Sequence, residues 1–191
     1  MRFKISFILL FIIISFKIFT AEHALRCDKA LSPILAKIET LPEGKELVSG
    51  ILEQGPLKIR VSRFSTQFEG SWTAYDRVIH VTKRSNMPES SLITTLLFEL
   101  QNAYRTADLE SIYRMATSRQ LSKKEFIRKV EYFEYENALA TSKLLKLGIA
   151  AGIFPRSSYW YISGDFEKHF AAQKRGGHSA AIGKIYNQIV G

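Results

Sequence analysis

Two glutamates on two predicted helices are the side chains of this chain best placed to do chemistry. Glu99 falls on the helix predicted over residues 91–107, and Glu134 on a longer helix predicted over residues 125–145. At 100° per residue, Leu92, Ile93, Leu96, Leu97, Leu100, Ala103, Tyr104 and Ala107 form one stripe of the first helix. Thr95, Phe98, Glu99 and Asn102 fall on its flank and opposite side. Phe98 and Asn102 are four apart and share a ridge. A phenylalanine facing away from the leucines means that the helix is covered on both sides, which buries Glu99 and Asn102 at least in part. On the second helix, Phe126, Ile127, Val130, Phe133, Ala138, Leu144 and Leu145 point inward, with Glu134 among them and Asn137 and Thr141 beside it. A carboxylate on an apolar face is costly unless paired or hydrogen-bonded. Glu134 is then either half of a structural clamp, with Arg105 or Arg114 as partner, or a functional acid. Two acids on facing helices suit general acid–base work, glycoside hydrolysis included.

The run Leu96-Leu97-Phe98-Glu99-Leu100-Gln101-Asn102-Ala103 resembles the active helix of zincin metallopeptidases, whose pattern is His-Glu-x-x-His. Residues 78–82 resemble that family's substrate-pairing edge strand, and Glu134 resembles the glutamate that is the third ligand of its gluzincin branch. The similarity runs from about residue 72 to 141 and lies more in layout than in signature. It implies a fold in which two histidines one helical turn apart hold zinc while the intervening glutamate activates bound water. Here both histidines are replaced. Phe98 cannot bind metal, and Asn102 offers only a neutral amide oxygen. Glu99 keeps the place of a general base with no metal-bound water to act on. The resemblance therefore implies a metallopeptidase fold without metal or other cofactor. Of the four histidines, no two stand at ligand spacing on one helix. His80, on the strand beside the expected cleft, joins Phe98, Asn102, Glu134 and Asn137 as a candidate cleft residue, with Glu99 the candidate base should any activity remain.

Other chemistries find little support. There is no Gly-x-Ser-x-Gly elbow, and the single cysteine, Cys27, is expected at a frayed N-terminus outside the core. No glycine loop precedes a helix to cradle phosphate; Gly148 and Gly152 follow one and read as its C-terminal cap. The aromatic run Ser158-Tyr159-Trp160-Tyr161 could stack on sugar rings or pack the last helices onto the body.

The elements that must position these residues can be read in order. Residues 28–48 read as one or two helices broken near Leu41-Pro42, and residues 57–61 alternate as a half-buried strand. Residues 72–82 form a second β region, divided at Asp76-Arg77. Pro88 sits near the start of the Glu99 helix, and a shorter helix covers residues 109–117. Ser122 with Glu125 is a capping box opening the Glu134 helix, which reaches about residue 147. Two short helices, near 165–174 and 180–190, are hinged at Gly176-Gly177. This is an α+β pattern, a small β-sheet followed by a helical body in a zincin-like layout, forming one domain over residues 25–191.

Residues 1–24 have the parts of a secretory signal peptide: Arg2 and Lys4, an apolar run over 5–16, and small residues at Ala21 and Ala24. Lys17 keeps the apolar run below the length of a spanning helix, so membrane association is expected only if the signal is not cleaved. A secreted or periplasmic location follows. Cleavage removes Arg2, Lys4, Lys17 and Glu22, taking 27 basic residues to 24 and 18 acidic to 17, and the formal charge from +9 to +7. Such a surface favours a protein, a peptide or an anionic envelope polymer as partner. The basic residues are scattered without interleaved aromatics, so nucleic-acid binding is not expected. The expected role is binding by a catalytically inactive metallopeptidase-like domain. The alternatives are an active hydrolase using Glu99 and Glu134, and an envelope-associated structural protein with a basic surface.

Overall fold

Prolines and caps set the helix boundaries. The computed structural model describes residues 25–62 and 69–191, so the signal peptide expected over residues 1–24 lies outside the described residues. Helix α1 (Ser32–Thr40) carries Pro33 in its first turn, and α2 (Pro42–Glu53) opens on Pro42. Between them Leu41 is extended, with ψ of 126°. The ring of a following proline disfavours helical geometry in the residue before it. Pro88 is likewise extended and caps α3 (Glu89–Tyr104). Helix α4 (Thr106–Thr117) follows almost directly, and α5 (Lys123–Ala150) begins on the Ser122–Glu125 capping box, both reciprocal bonds of which are formed. A single 3-10 turn at Arg156–Ser158 leads to α6 (Phe166–Arg175), capped by Asp165, and then to α7 (His178–Val190). Gly177 joins these last two helices at φ 84°, a left-handed conformation that a side chain would resist.

Four strands, β1 (Leu25–Cys27), β2 (Leu57–Ser62), β3 (Gly70–Thr73) and β4 (Val78–Thr82), form one mixed sheet in the order β1-β2-β4-β3. β1, β2 and β4 are parallel, while β3 runs antiparallel to β4. Two sequence-based expectations are corrected here. Residues 78–82 are an interior strand; the edge strand beside α3 is β3. Cys27 is not frayed, because β1 pairs with β2 along its length and the cysteine packs, half-buried, against the core. The Asp28 carboxylate adds to this anchoring by accepting from the Val61 backbone N–H at 2.9 Å.

Most buried apolar side chains gather in two clusters. The larger joins one face of the sheet (Ile59, Ile79, Val81) to α1, α2 and the leucine stripe of α3. The smaller gathers Ala116, Leu121, Phe126, Val130 and Ile182 from α4, α5 and α7. No helix among the described residues is long and apolar enough to cross a membrane. The α+β class with a helical body is therefore observed.

Candidate functional site

A cavity of about 570 Å³ opens between the edge strand β3 and helices α3, α5 and α7. The predicted residues Phe98, Glu99, Asn102 and Glu134 all line it. Phe98 meets Trp160 edge-on, with ring centroids 5.8 Å apart, and the pair forms an apolar wall. That contact explains a phenylalanine on the side of α3 away from the leucines. Trp160, from the aromatic run after α5, is thus part of the cavity, whereas its neighbours Tyr159 and Tyr161 are exposed.

Glu99 is only 5% exposed. Its Oε2 accepts a hydrogen bond from Asn102 Nδ2 at 3.0 Å. No hydrogen bond to Oε1 is made among the described residues, and this oxygen lies close to the edge strand. A Cβ added at Gly70 would come within 2.6 Å of Thr95 Cγ2 and 2.8 Å of Glu99 Oε1. Glycine at the start of β3 is what lets the strand backbone approach the carboxylate. Burial pushes the Glu99 carboxyl up to about 7; the Asn102 bond opposes this and the negative charge of Glu134 adds to it.

Asn102 is committed on both ends. Its Nδ2 donates to Glu99, and its Oδ1 accepts from Asn137 Nδ2 at 2.8 Å. Fully buried Asn137 in turn accepts from Arg105 Nη1 at 3.0 Å. Asn137 therefore stands behind the cavity wall and orients Asn102 rather than lining the cavity itself. Arg105 also binds Asp108 and Glu136 and lies over the Phe133 ring. It is a buttress between α3, α4 and α5, and not the partner of Glu134 that the sequence suggested; Arg114 is exposed.

The partner of Glu134 is His178, at the start of α7. His178 Nε2 lies 3.2 Å from Glu134 Oε2, and its Nδ1 lies 3.2 Å from Glu131 Oε1. Glu131 is fully buried, also accepts from Ser179 Oγ at 2.5 Å, and its Oε2 has no hydrogen-bond partner among the described residues. A neutral imidazole can donate from one nitrogen only, so facing two carboxylates favours the doubly protonated ring. The His178 pKa is accordingly raised, chiefly by the bond to Glu131. Burial pushes the Glu134 carboxyl up to about 7 against the pull of His178, with Glu131 reinforcing the rise.

His80 is corrected as a site residue. It pairs with Ser71 across the β3–β4 ladder, while the neighbouring pairs Gly70–Val81 and Trp72–Ile79 face α3 and the core. Strand alternation therefore turns His80 to the opposite face. The histidine at the cavity is His178, which nothing in the sequence marks, because its partners lie 47 and 44 residues earlier in the chain and only the docking of α7 brings it to them.

The residues at the zincin-like positions do not fit zinc. Phe98 has no donor atom, the Asn102 oxygen already accepts from Asn137, and Glu134 faces His178. Among the described residues, no group of three or more His, Cys, Asp or Glu side chains is arranged to hold a metal ion. No family model, curated protein or solved structure matches this chain.

Proposed function

We propose that this chain is a secreted or periplasmic binding protein with a zincin-like layout and a zinc-less site, which holds an extended peptide segment without cleaving it. The observation that carries this is the double commitment of Asn102, which spends its amide on Glu99 and its oxygen on Asn137. At the place where the metallopeptidase pattern needs a ligand, the side chain is locked into the protein's own hydrogen bonds. Several further features support a peptide. Among the described residues β3 pairs only with β4, which leaves its outer backbone groups available for strand addition. Glu69, Gly70, Ser71 and Trp72 bring that edge to the mouth of the cavity. Apolar walls with a few convergent polar groups are the usual form of a binding cavity. An anionic polymer suits this cavity poorly, because acids line it.

The test is incubation of the purified protein, with and without added zinc, with a mixture of short peptides, followed by mass spectrometry of bound and free fractions. Retention of intact peptides is expected in both conditions. New cleavage products that vanish in Glu99→Gln would overturn this reading in favour of the hydrolase.

A further inference from the structure

Apart from His178, the charged side chains lining the cavity among the described residues are all acidic. Of the 27 lysines and arginines in the chain, none among the described residues lines it, whereas Glu69, Glu99 and Glu134 do. Among the described residues the only lining side chain able to carry positive charge is His178, and it is shared between Glu134 and the buried Glu131. Glu99 is nineteen-twentieths buried, with one carboxylate oxygen accepting no hydrogen bond among the described residues. A carboxylate in such a setting is costly in its charged form until a cation or donor meets it. Arg105, at the C-cap of α3, is engaged elsewhere, with Asp108, Glu136 and Asn137. Around these acids stand Trp72, Phe98, Phe133 and Trp160, rings whose faces attract cations and whose bulk suits an apolar stem. Among the described residues this acidic, aromatic-walled cavity holds no lysine or arginine, which leaves room for a cation brought by something else.

We propose that the cavity takes the cationic end of a basic side chain, an ammonium or guanidinium on an apolar stem, between the carboxylates of Glu99 and Glu134. The assignment rests on the peptide-binding reading for the carrier of that cation; the cation site itself rests on the lining. On this view the ligand supplies the charge that a zinc ion would supply at a metallopeptidase site, and the cavity selects peptides by a lysine or arginine. Because both carboxyls sit near 7, entry of a cation draws a proton off them, and affinity rises with pH. The titratable groups facing them are Glu69 from the strand edge, Tyr113 from α4, Glu131 within α5 and His178 from α7.

Both tryptophans of the chain line this cavity, so intrinsic fluorescence reports on its occupancy. The probes are acetyl-Ala-Ala-Lys-Ala-Ala-amide, its arginine counterpart, its norleucine counterpart and free n-pentylamine, titrated into the full chain at pH 8 and pH 5. Lysine or arginine is expected to bind at least tenfold more tightly than norleucine at pH 8, with the advantage falling below about threefold at pH 5 as the carboxyls protonate. Glu99→Gln and Glu134→Gln should each remove most of that advantage of lysine or arginine over norleucine, with retention of the fold checked by circular dichroism. Equal binding of the lysine, arginine and norleucine peptides overturns the cation site and leaves the peptide reading standing. Binding of n-pentylamine as tight as that of the lysine peptide supports the cation site and overturns the peptide as its carrier. Failure of all four probes to move the fluorescence overturns both.

Discussion

Replacing Glu99 by glutamine should make the protein more stable, and only above about pH 5. The glutamate carboxyl is held at about 7 in the folded chain against an ordinary 4.5, with burial the principal cause. A carboxyl whose folded value is raised keeps its proton longer in the native state, so stability falls as pH climbs from 4.5 through 7 and then levels off. At about 1.4 kcal/mol per pH unit, that difference costs the folded state roughly 3 kcal/mol at pH 8. Part of the rise comes from Glu134, whose own titration relaxes when Glu99 becomes neutral, so the net gain should be about 1–3 kcal/mol. Glutamine is nearly isosteric and its carbonyl oxygen can still accept from Asn102 Nδ2, so no packing or hydrogen bond need be lost. Urea unfolding at pH 4.5, 6 and 8 measures this directly. The expected result is no difference at pH 4.5 and a growing advantage for Glu99→Gln toward pH 8. A variant that is equally or less stable at pH 8 would refute the reasoning. So would a gain of the same size at pH 4.5, since it could not come from the charge.

The other expectations concern the two elements that frame the cavity. His178→Ala leaves the fully buried Glu131 with Ser179 as its only hydrogen-bond partner among the described residues, and should cost about 3 kcal/mol, as removal of one partner from a buried charged pair does. It is a loss where Glu99→Gln is a gain, but its slope with pH has the same sign, because both groups are raised in the folded chain and both make the wild type less stable as pH climbs. With the imidazole raised by Glu131, its contribution is complete below pH 6.5 and fades as pH rises through the folded value, so the loss is larger at pH 6 than at pH 9 by urea unfolding. Gly70→Ala drives a methyl group into Thr95 and Glu99, and should destabilise by roughly 1–3 kcal/mol while weakening peptide binding. Unchanged stability and affinity in that variant would mean that the approach of β3 to Glu99 is not as close as the structure has it.

The elements were legible because their signals are local. Proline at positions 33 and 42, the Ser122–Glu125 box and the leucine period of α3 each act within a few residues, and each forms as expected. Phe98, Glu99, Asn102 and Glu134 could also be named in advance, since helical phase sets the first three on the side of α3 away from its leucines and Glu134 among the apolar residues of α5. What escaped depends on contacts distant in sequence. Nothing near His178 distinguishes it from His80 or His169 until α7 packs across α5. The sheet order was equally hidden: only pairing shows that β4 enters between β2 and β3, which moves the edge to Gly70–Thr73 and turns His80 away. Cys27 lies on a three-residue strand too short for its alternation to stand out, and it is ordered by its neighbour β2 rather than by its own sequence.

The two apolar clusters have a consequence for how the molecule opens. They share no buried side chain, and the cavity lies where the α3 side of one meets the α5–α7 side of the other. Elements that bury separate cores can come apart separately, each with its own opening free energy. The wall formed by Ala181, Ile182 and Ile185 can then lift in a sub-global fluctuation that leaves the sheet and α3 folded. Native-state hydrogen exchange should show the amides of α7 exchanging as a group at a lower free energy than those of α3, and a ligand that bridges the two walls should slow the α7 group first.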